Sequence, residues 1–276
     1  MRMTPPLAIA LLLIPLLRPG PAAAQPAAAA PAAAMVHMSY TGTALGLEVM
    51  KLQAALSMDR AGYNIGMSFN TVGLLSVFAR GEQHSTVWGA WQGGQPSPLR
   101  FWSWGYLRGQ LRQTLIDYDN GRPLVRTLSP PVAGEREEVP EQARGDSVDT
   151  LSAIAFLVRR VADTGACDGG TKVFDGRRLT EISAHTIGQV APASGGAGPY
   201  AGATLRCDFT GRELAGFMLD DSSWQRRPHG GSAWLARPVR GGPPVPVRLT
   251  FDTRWVGEIT LVLTDAGPGP LPEPAR

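Results

Sequence analysis

Alternation of apolar and polar residues is the feature that most constrains this chain. Tyr63, Ile65, Met67 and Phe69 alternate with Asn64, Gly66, Ser68 and Asn70. Leu205, Cys207 and Phe209 alternate with Arg206, Asp208 and Thr210. Val245, Val247, Leu249 and Phe251 alternate with Pro246, Arg248, Thr250 and Asp252, and Ile259, Leu261 and Leu263 resume the pattern after a turn near Arg254. Met50, Leu52, Ala54, Leu56 and Met58 mark an earlier run. Successive side chains of a strand point to opposite faces, so each run predicts a strand with one buried and one wet face.

Turn chemistry makes these strands neighbours. Asn120-Gly121 separates LRQTLIDYD from RPLVRTL, and Asp175-Gly176 separates TKVF from RRLTEIS. Both dipeptides tolerate the positive φ of a tight hairpin, whose twist suits antiparallel strands. Asp59-Arg60-Ala61-Gly62 predicts a slightly longer turn, and the Gly- and Pro-rich residues 191–203 a long hairpin loop. One helix is expected at about 147–163, from the stripe Val148, Leu151, Ala155, Val158 and Ala162, widened by Ile154 and Val161. Asp146 can cap it, Asp149 adds charge at the positive end of its dipole, Arg159 and Arg160 suit the other end, and Gly165 can end it. A shorter helix is expected over 72–78. The fold class is therefore mainly β: a long antiparallel meander forming a curved sheet or open half-barrel, covered by one main helix.

The N-terminal residues bear on location. Met1-Arg2, the apolar run Leu7–Leu17 and the small residues Ala22-Ala23-Ala24 predict a secretory signal peptide over 1–24, cleaved after Ala24. The eleven-residue run reaches about 16 Å as a helix, against a bilayer core of about 30 Å. A lipid anchor would need a cysteine just after the cut, and the first is Cys167. The expected location is the periplasm. Residues 25–35 read as an Ala/Pro-rich linker, 36–265 as a single β-rich domain and 266–276 as a disordered Pro-rich tail. No stretch of the processed chain is apolar enough for a transmembrane helix.

Without residues 1–24 the chain holds 24 basic and 23 acidic residues, and only Lys51 and Lys172 are lysine. Arg159-Arg160, Arg177-Arg178 and Arg226-Arg227 are isolated pairs that read as solvated surface, so no nucleic-acid partner is expected. Cys167 and Cys207 are an even pair in an exported chain and predict a disulfide rather than a redox C-x-x-C.

Recognisable chemistry is scarce. There is no G-x-S-x-G elbow, no phosphate-cradling loop and no dinucleotide fingerprint. His37, His84, His185 and His229 form no zinc motif, and the acidic residues show no recurring calcium spacing, so no metal or cofactor is expected. The aromatic residues are more informative. Trp88, Trp91, Phe101, Trp102, Trp104 and Tyr106 fall within 19 residues and suggest either an apolar or sugar-stacking ligand surface or a core with an aromatic rim.

Several short motifs carry a resemblance. They are Tyr40-x-Gly42 with Leu45-Gly46-Leu47, Pro98 before an aromatic strand, Ile116-Asp117-Tyr118, Asp149-x-Leu151-Ser152, and Phe174-Asp175-Gly176-Arg177-Arg178. In this order the chain resembles an uncharacterised family of exported bacterial proteins, a domain of unknown function. The resemblance covers about 36–265 and implies a periplasmic β-rich fold, with no reaction and no catalytic residues. In architecture it also looks like the half-barrels of periplasmic lipoprotein carriers, which hold acyl chains between sheet and helices. That analogy does not fix function.

The function expected is non-enzymatic binding of an apolar ligand such as a lipid or acyl chain. Trp88, Phe101, Trp102, Trp104 and Tyr106 would line the cavity, with Leu151 and Ile154 as its lid. One alternative is a structural or assembly component of the cell envelope that binds a protein partner. The other is an enzyme with an unrecognised site, for which Asp117, His185 and Arg178 would have to gather at a pocket.

Overall fold

The computed structural model describes residues 35–78, 80–191, 200–220, 223–254 and 256–270. The expected leader, most of the linker and residues 192–199 of the long loop lie outside the described residues. The first meander is β1 (Met35–Ala44), β2 (Leu47–Met58), β3 (Gly62–Thr71), β4 (Gly81–Gln92), β5 (Gln95–Leu107), β6 (Gln110–Asp119) and β7 (Arg122–Ser129). Helix α1 (Gly73–Phe78) joins β3 to β4. After the connection 130–146 come β8 (Ser147–Val148), helix α2 (Thr150–Thr164), β9 (Gly169–Phe174) and β10 (Leu179–Val190). The last strands are β11 (Thr204–Ala215), β12 (His229–Ala236), β13 (Val245–Thr253) and β14 (Gly257–Pro268).

All fourteen strands belong to one sheet, ordered β7-β6-β5-β4-β3-β2-β1-β14-β13-β12-β11-β10-β9-β8. Two sequential meanders thus meet where β1 pairs with β14, with Gly42 opposite Leu261. Every neighbouring pair is antiparallel except β8 with β9. The connection 130–146 carries the chain from one outer strand, β7, to the other, β8, so the sheet curls into a nearly closed barrel. Arg177 of the β9–β10 hairpin stitches this seam, donating through Nη2 to the carbonyls of Ser129 and Pro130 at 2.9 and 2.7 Å. Such a sheet is the mainly-β curved architecture that the alternation predicts.

Local chemistry accounts for the elements. At the β6–β7 hairpin Asn120 and Gly121 both take positive φ, 49° and 77°, as a primed turn requires. In β1, Val36, Met38, Tyr40, Gly42 and Ala44 are buried while every intervening residue is only half-buried. Met50, Leu52, Ala54, Leu56 and Met58 follow the same parity in β2, but a bulge opposite Gly42 and Thr43 turns Val49 inward as well. Cys167, just after α2, is bridged to Cys207 of β11, 40 residues on.

Two boundaries differ from expectation. Helix α2 begins at Thr150 because Asp149, not Asp146, is its cap: Asp149 Oδ1 accepts from Ser152 N at 2.9 Å. Asp146 has φ 57°, and Ser147-Val148 have already formed a parallel bridge to β9. Strand β14 runs to Pro268 rather than giving way to a tail at 266, because Ala266 and Gly267 pair with Met38 and His37. Gly165 ends α2 as expected, with φ 70° and its N–H bonded to Val161 O.

Helix α2 lies across the concave face, touching β3, β4 and β5 on one side and β9 on the other. Its buried stripe is Leu151, Ser152, Ala155, Val158 and Val161. These residues pack with Ile65, Val87, Phe101 and Ile116 from the wall, and near the disulfide with Leu205 and Leu235.

Candidate functional site

Strand register arranges the inner wall of β3–β6 in three rows. The deepest row is Ile65, Val87, Phe101 and Ile116, all apolar and buried. The next is Met67, Ser85, Ser103 and Thr114. Nearest the barrel end is Phe69, Gln83, Gly105 and Arg112. Large residues fill the deepest row, whereas Ser85, Ser103, Thr114 and Gly105 are small members of the two above, so the barrel is packed at depth and hollow towards this end. The resulting cavity is about 440 Å³, within the range of small-ligand sites.

Phe69, Met67, Phe101 and Leu151 give the cavity an apolar side. Its small polar residues satisfy one another. Ser85 donates to Ser103 at 3.0 Å, and the Gln83 amide donates to Ser85 and Ser103 at 3.2 and 3.0 Å. The N-terminal residues of α2, Thr150 and Leu151, reach the same space. Exposed Leu107, at the end of β5, borders the cavity, while exposed Leu74 and Phe78 of α1 line a separate depression with Leu45 and Leu47 at the β1–β2 turn.

Arginine dominates the remaining lining. Arg112 comes from β6, Arg136 from the β7–β8 connection, and Arg177 and Arg178 from the β9–β10 hairpin. That hairpin is a compact device. Asp175 Oδ1 accepts from the Arg177 and Arg178 N–H groups at 2.9 and 2.8 Å, and Oδ2 from Arg178 Nε at 2.9 Å. Burial would raise the Asp175 carboxyl, but the Arg178 charge and these bonds hold it below the ordinary carboxylate value. Glu135 accepts from Arg112 through both oxygens, at 3.2 and 3.3 Å. Glu213 stands 3.6 Å from Arg136, and burial pushes its carboxyl up to about 7 against the pull of Arg178 and Arg136. Burial lowers the guanidinium values of Arg136 and Arg177, and the positive charges of Arg178 and Arg112 respectively lower them further.

The residues expected to line a cavity divide between the two faces. Phe101, 4% exposed, and Leu151 lie inside and face the cavity. Trp88, Trp102 and Trp104 do not: they stand on the outer face of β4 and β5, with Trp102 48% exposed. Parity forces this, because Val87, Phe101 and Ser103 occupy the inner positions. Tyr106 borders the mouth from the exposed side. Ile154 is 37% exposed and does not border the cavity. On the outer face His84 stacks on Trp104 with ring centroids 4.4 Å apart. Trp91, of the same parity as Ser85 and Val87, packs inward on Tyr63 and under Arg159; the irregularity after Trp88 leaves Leu99 of β5 unpaired instead.

Asp117, His185 and Arg178 are not brought together. Asp117 is held on the outer face by Arg100 and Arg126 at 2.6 and 3.0 Å, His185 is exposed beside Asp168, and Arg178 is at the cavity. Arg112, Arg136 and Arg177 were not legible as a group, since their positions are far apart in sequence. The Phe174-Asp175-Gly176-Arg177-Arg178 motif was the local signal.

These features define a barrel-like β protein with an interior cavity at one end. No family model matches the chain, and no curated protein does. Among solved structures, a beta-barrel-like protein of domain of unknown function DUF1849 from Brucella abortus is similar in fold. It superposes with a TM-score of 0.53 at 13% identity, over 86% of this chain and 99% of that one. The likeness is one of fold: an uncharacterised β-barrel domain.

Proposed function

We propose that this protein is an exported, non-enzymatic carrier of the periplasm that holds an apolar ligand, a lipid or acyl chain, in the cavity at the barrel mouth. One observation carries the reading: a cavity of about 440 Å³ with an apolar side of Met67, Phe69, Phe101 and Leu151, left open by Ser85 and Ser103. The Cys167–Cys207 bridge and the N-terminal leader pattern support the location. A neutral apolar dye, N-phenylnaphthylamine, tests the site. Its fluorescence rises on binding the wild-type chain and stays low with Ser103→Phe, which fills the cavity while thermal melting confirms the fold. Equal signals from both proteins would place the dye elsewhere and defeat the reading.

The outer face supports a second reading, an envelope assembly component that meets a protein partner. Exposed Trp88, Trp102 and Trp104 on adjacent strands form an aromatic surface of the kind enriched at interfaces. Cross-linking in cells that captures one partner through wild type but not through Trp102→Thr would favour it.

A further inference from the structure

Three arginines from separate parts of the chain, Arg112, Arg136 and Arg177, line one cavity, and each keeps a buried N–H without a hydrogen-bond partner. The unfilled donors are Arg112 Nε, Arg136 Nε and Arg177 Nη1. Glu135 is the carboxylate they share, and it cannot serve them all. It bonds Arg112, while Arg136 Nε and Arg177 Nη1 each stand 3.9 Å from its oxygens, beyond bonding range. Asp175 is already engaged by Arg178, Glu213 Oε1 stands 3.6 Å from Arg136 Nη1 without bonding it, and Glu82 turns away to bond His84 at 2.9 Å. The guanidinium side chains of Arg136 and Arg177 are only 13% and 11% exposed, so water cannot freely fill the gap. A buried charged donor left unmade is costly, and natural interiors rarely keep several together.

We propose that the cavity mouth recognises one anionic group, a carboxylate or a phosphate monoester, on an amphipathic ligand whose chain lies against Phe101 and Leu151. This rests on the apolar-ligand reading and specifies the ligand's polar end. The positions fit the polarity of such a molecule. Arg112 stands one rung nearer the barrel end than Thr114, and the Ile65–Ile116 row closes the cavity at depth. A head at the arginines therefore directs its chain to the apolar side. Planar guanidinium forks match the oxygens of a carboxylate or phosphate, and two or three converging forks favour an anion over a neutral alcohol.

Titration calorimetry with the purified, delipidated chain tests this with four probes of one chain length: laurate, dodecyl phosphate, dodecanol and dodecyltrimethylammonium. The expected result is that laurate or dodecyl phosphate binds about tenfold or more tightly than dodecanol. The cation binds most weakly, and the better of the two anions identifies the head-group chemistry. Arg112→Gln should erase the advantage of the anion over dodecanol, measured as the ratio of the two affinities in the same variant. Arg177→Gln, which also removes the seam bonds, is read only beside its melting curve. Raising salt about tenfold should weaken the anion and spare the alcohol. Equal binding of anion and alcohol overturns the anionic head and leaves the apolar-ligand reading standing. Failure of all four probes overturns both.

Discussion

The Tyr63 hydroxyl donates a 2.7 Å hydrogen bond to Ser152 Oγ, tying wall strand β3 to the covering helix α2. The Ser152 hydroxyl in turn donates a hydrogen bond to Asp149 Oδ2 at 2.6 Å, and Asp149 caps the helix through Oδ1. Ser152 and Asp149 are wholly buried. Removing the middle member strands both neighbours. Ser152→Ala should therefore cost about 2–3 kcal/mol, while Tyr63→Phe, which removes one donor, should cost about 1 kcal/mol. Urea unfolding measures both. Equal costs would mean that the three groups do not act as a chain.

Asp149 also sets a pH dependence. Burial pushes its carboxyl up to about 6 from an ordinary 3.8, against its bonds to Ser152. Glu213 is raised from 4.5 to about 7. A raised folded value means that the native state keeps a proton the unfolded chain has released. The stability from each group is thus complete below its unfolded value and is lost as pH rises through its folded value. Asp117, Asp175 and Asp208 are lowered, so their contributions are lost only below about 3.8 and leave this interval untouched. Stability should fall between about pH 4 and pH 7, by on the order of 3 kcal/mol through Asp149. Asp149→Asn should flatten that slope. A slope unchanged in the variant would remove Asp149 from the account.

Gly176 tests the hairpin that closes the seam. Its φ is +92°, and a Cβ there would stand 2.6 Å from Thr114 Cγ2. Gly176→Ala should cost about 1–3 kcal/mol. Gly121 has φ +77° but open space around it, so Gly121→Ala should cost only about 1 kcal/mol. Denaturant midpoints decide the order of the two. The disulfide offers a larger effect: a Cys167→Ser, Cys207→Ser double variant reopens a loop of 40 residues and should lose about 4 kcal/mol.

Much of the fold was legible because a strand repeats every two residues and a primed turn needs particular residues. Asn120-Gly121 marked one hairpin, and Tyr63 to Phe69 marked a wall strand. Helix α2 was legible from its stripe, but Asp146 and Asp149 both suit a cap, and only the β8 bridge to β9 decides between them. The site was less legible. Alternation separates Phe101 from Trp102 but does not say which faces inward. Clustering put all of Trp88, Phe101, Trp102, Trp104 and Tyr106 at the cavity, whereas small Ser85 and Ser103 are what leave space there. The arginines were hidden for another reason. Arg112, Arg136 and Arg177 meet only because the β9–β10 hairpin closes on β6 and β7, a long-range contact with no local pattern.

The two faces of β5 give a direct comparison. Phe101→Ala should cost about 3–5 kcal/mol and weaken binding of an apolar probe. Trp102→Thr, its neighbour on the outer face, should change stability by less than about 1 kcal/mol and leave that binding intact. Reversed effects would mean that the outer face carries the ligand.

Native mass spectrometry of the chain purified from the periplasm, followed by solvent extraction, tests the central claim most directly. The account predicts one co-purifying molecule per chain, with an acyl chain and a single acidic group. A wild-type protein that emerges with no adduct and also takes up none when offered laurate or dodecyl phosphate would contradict it.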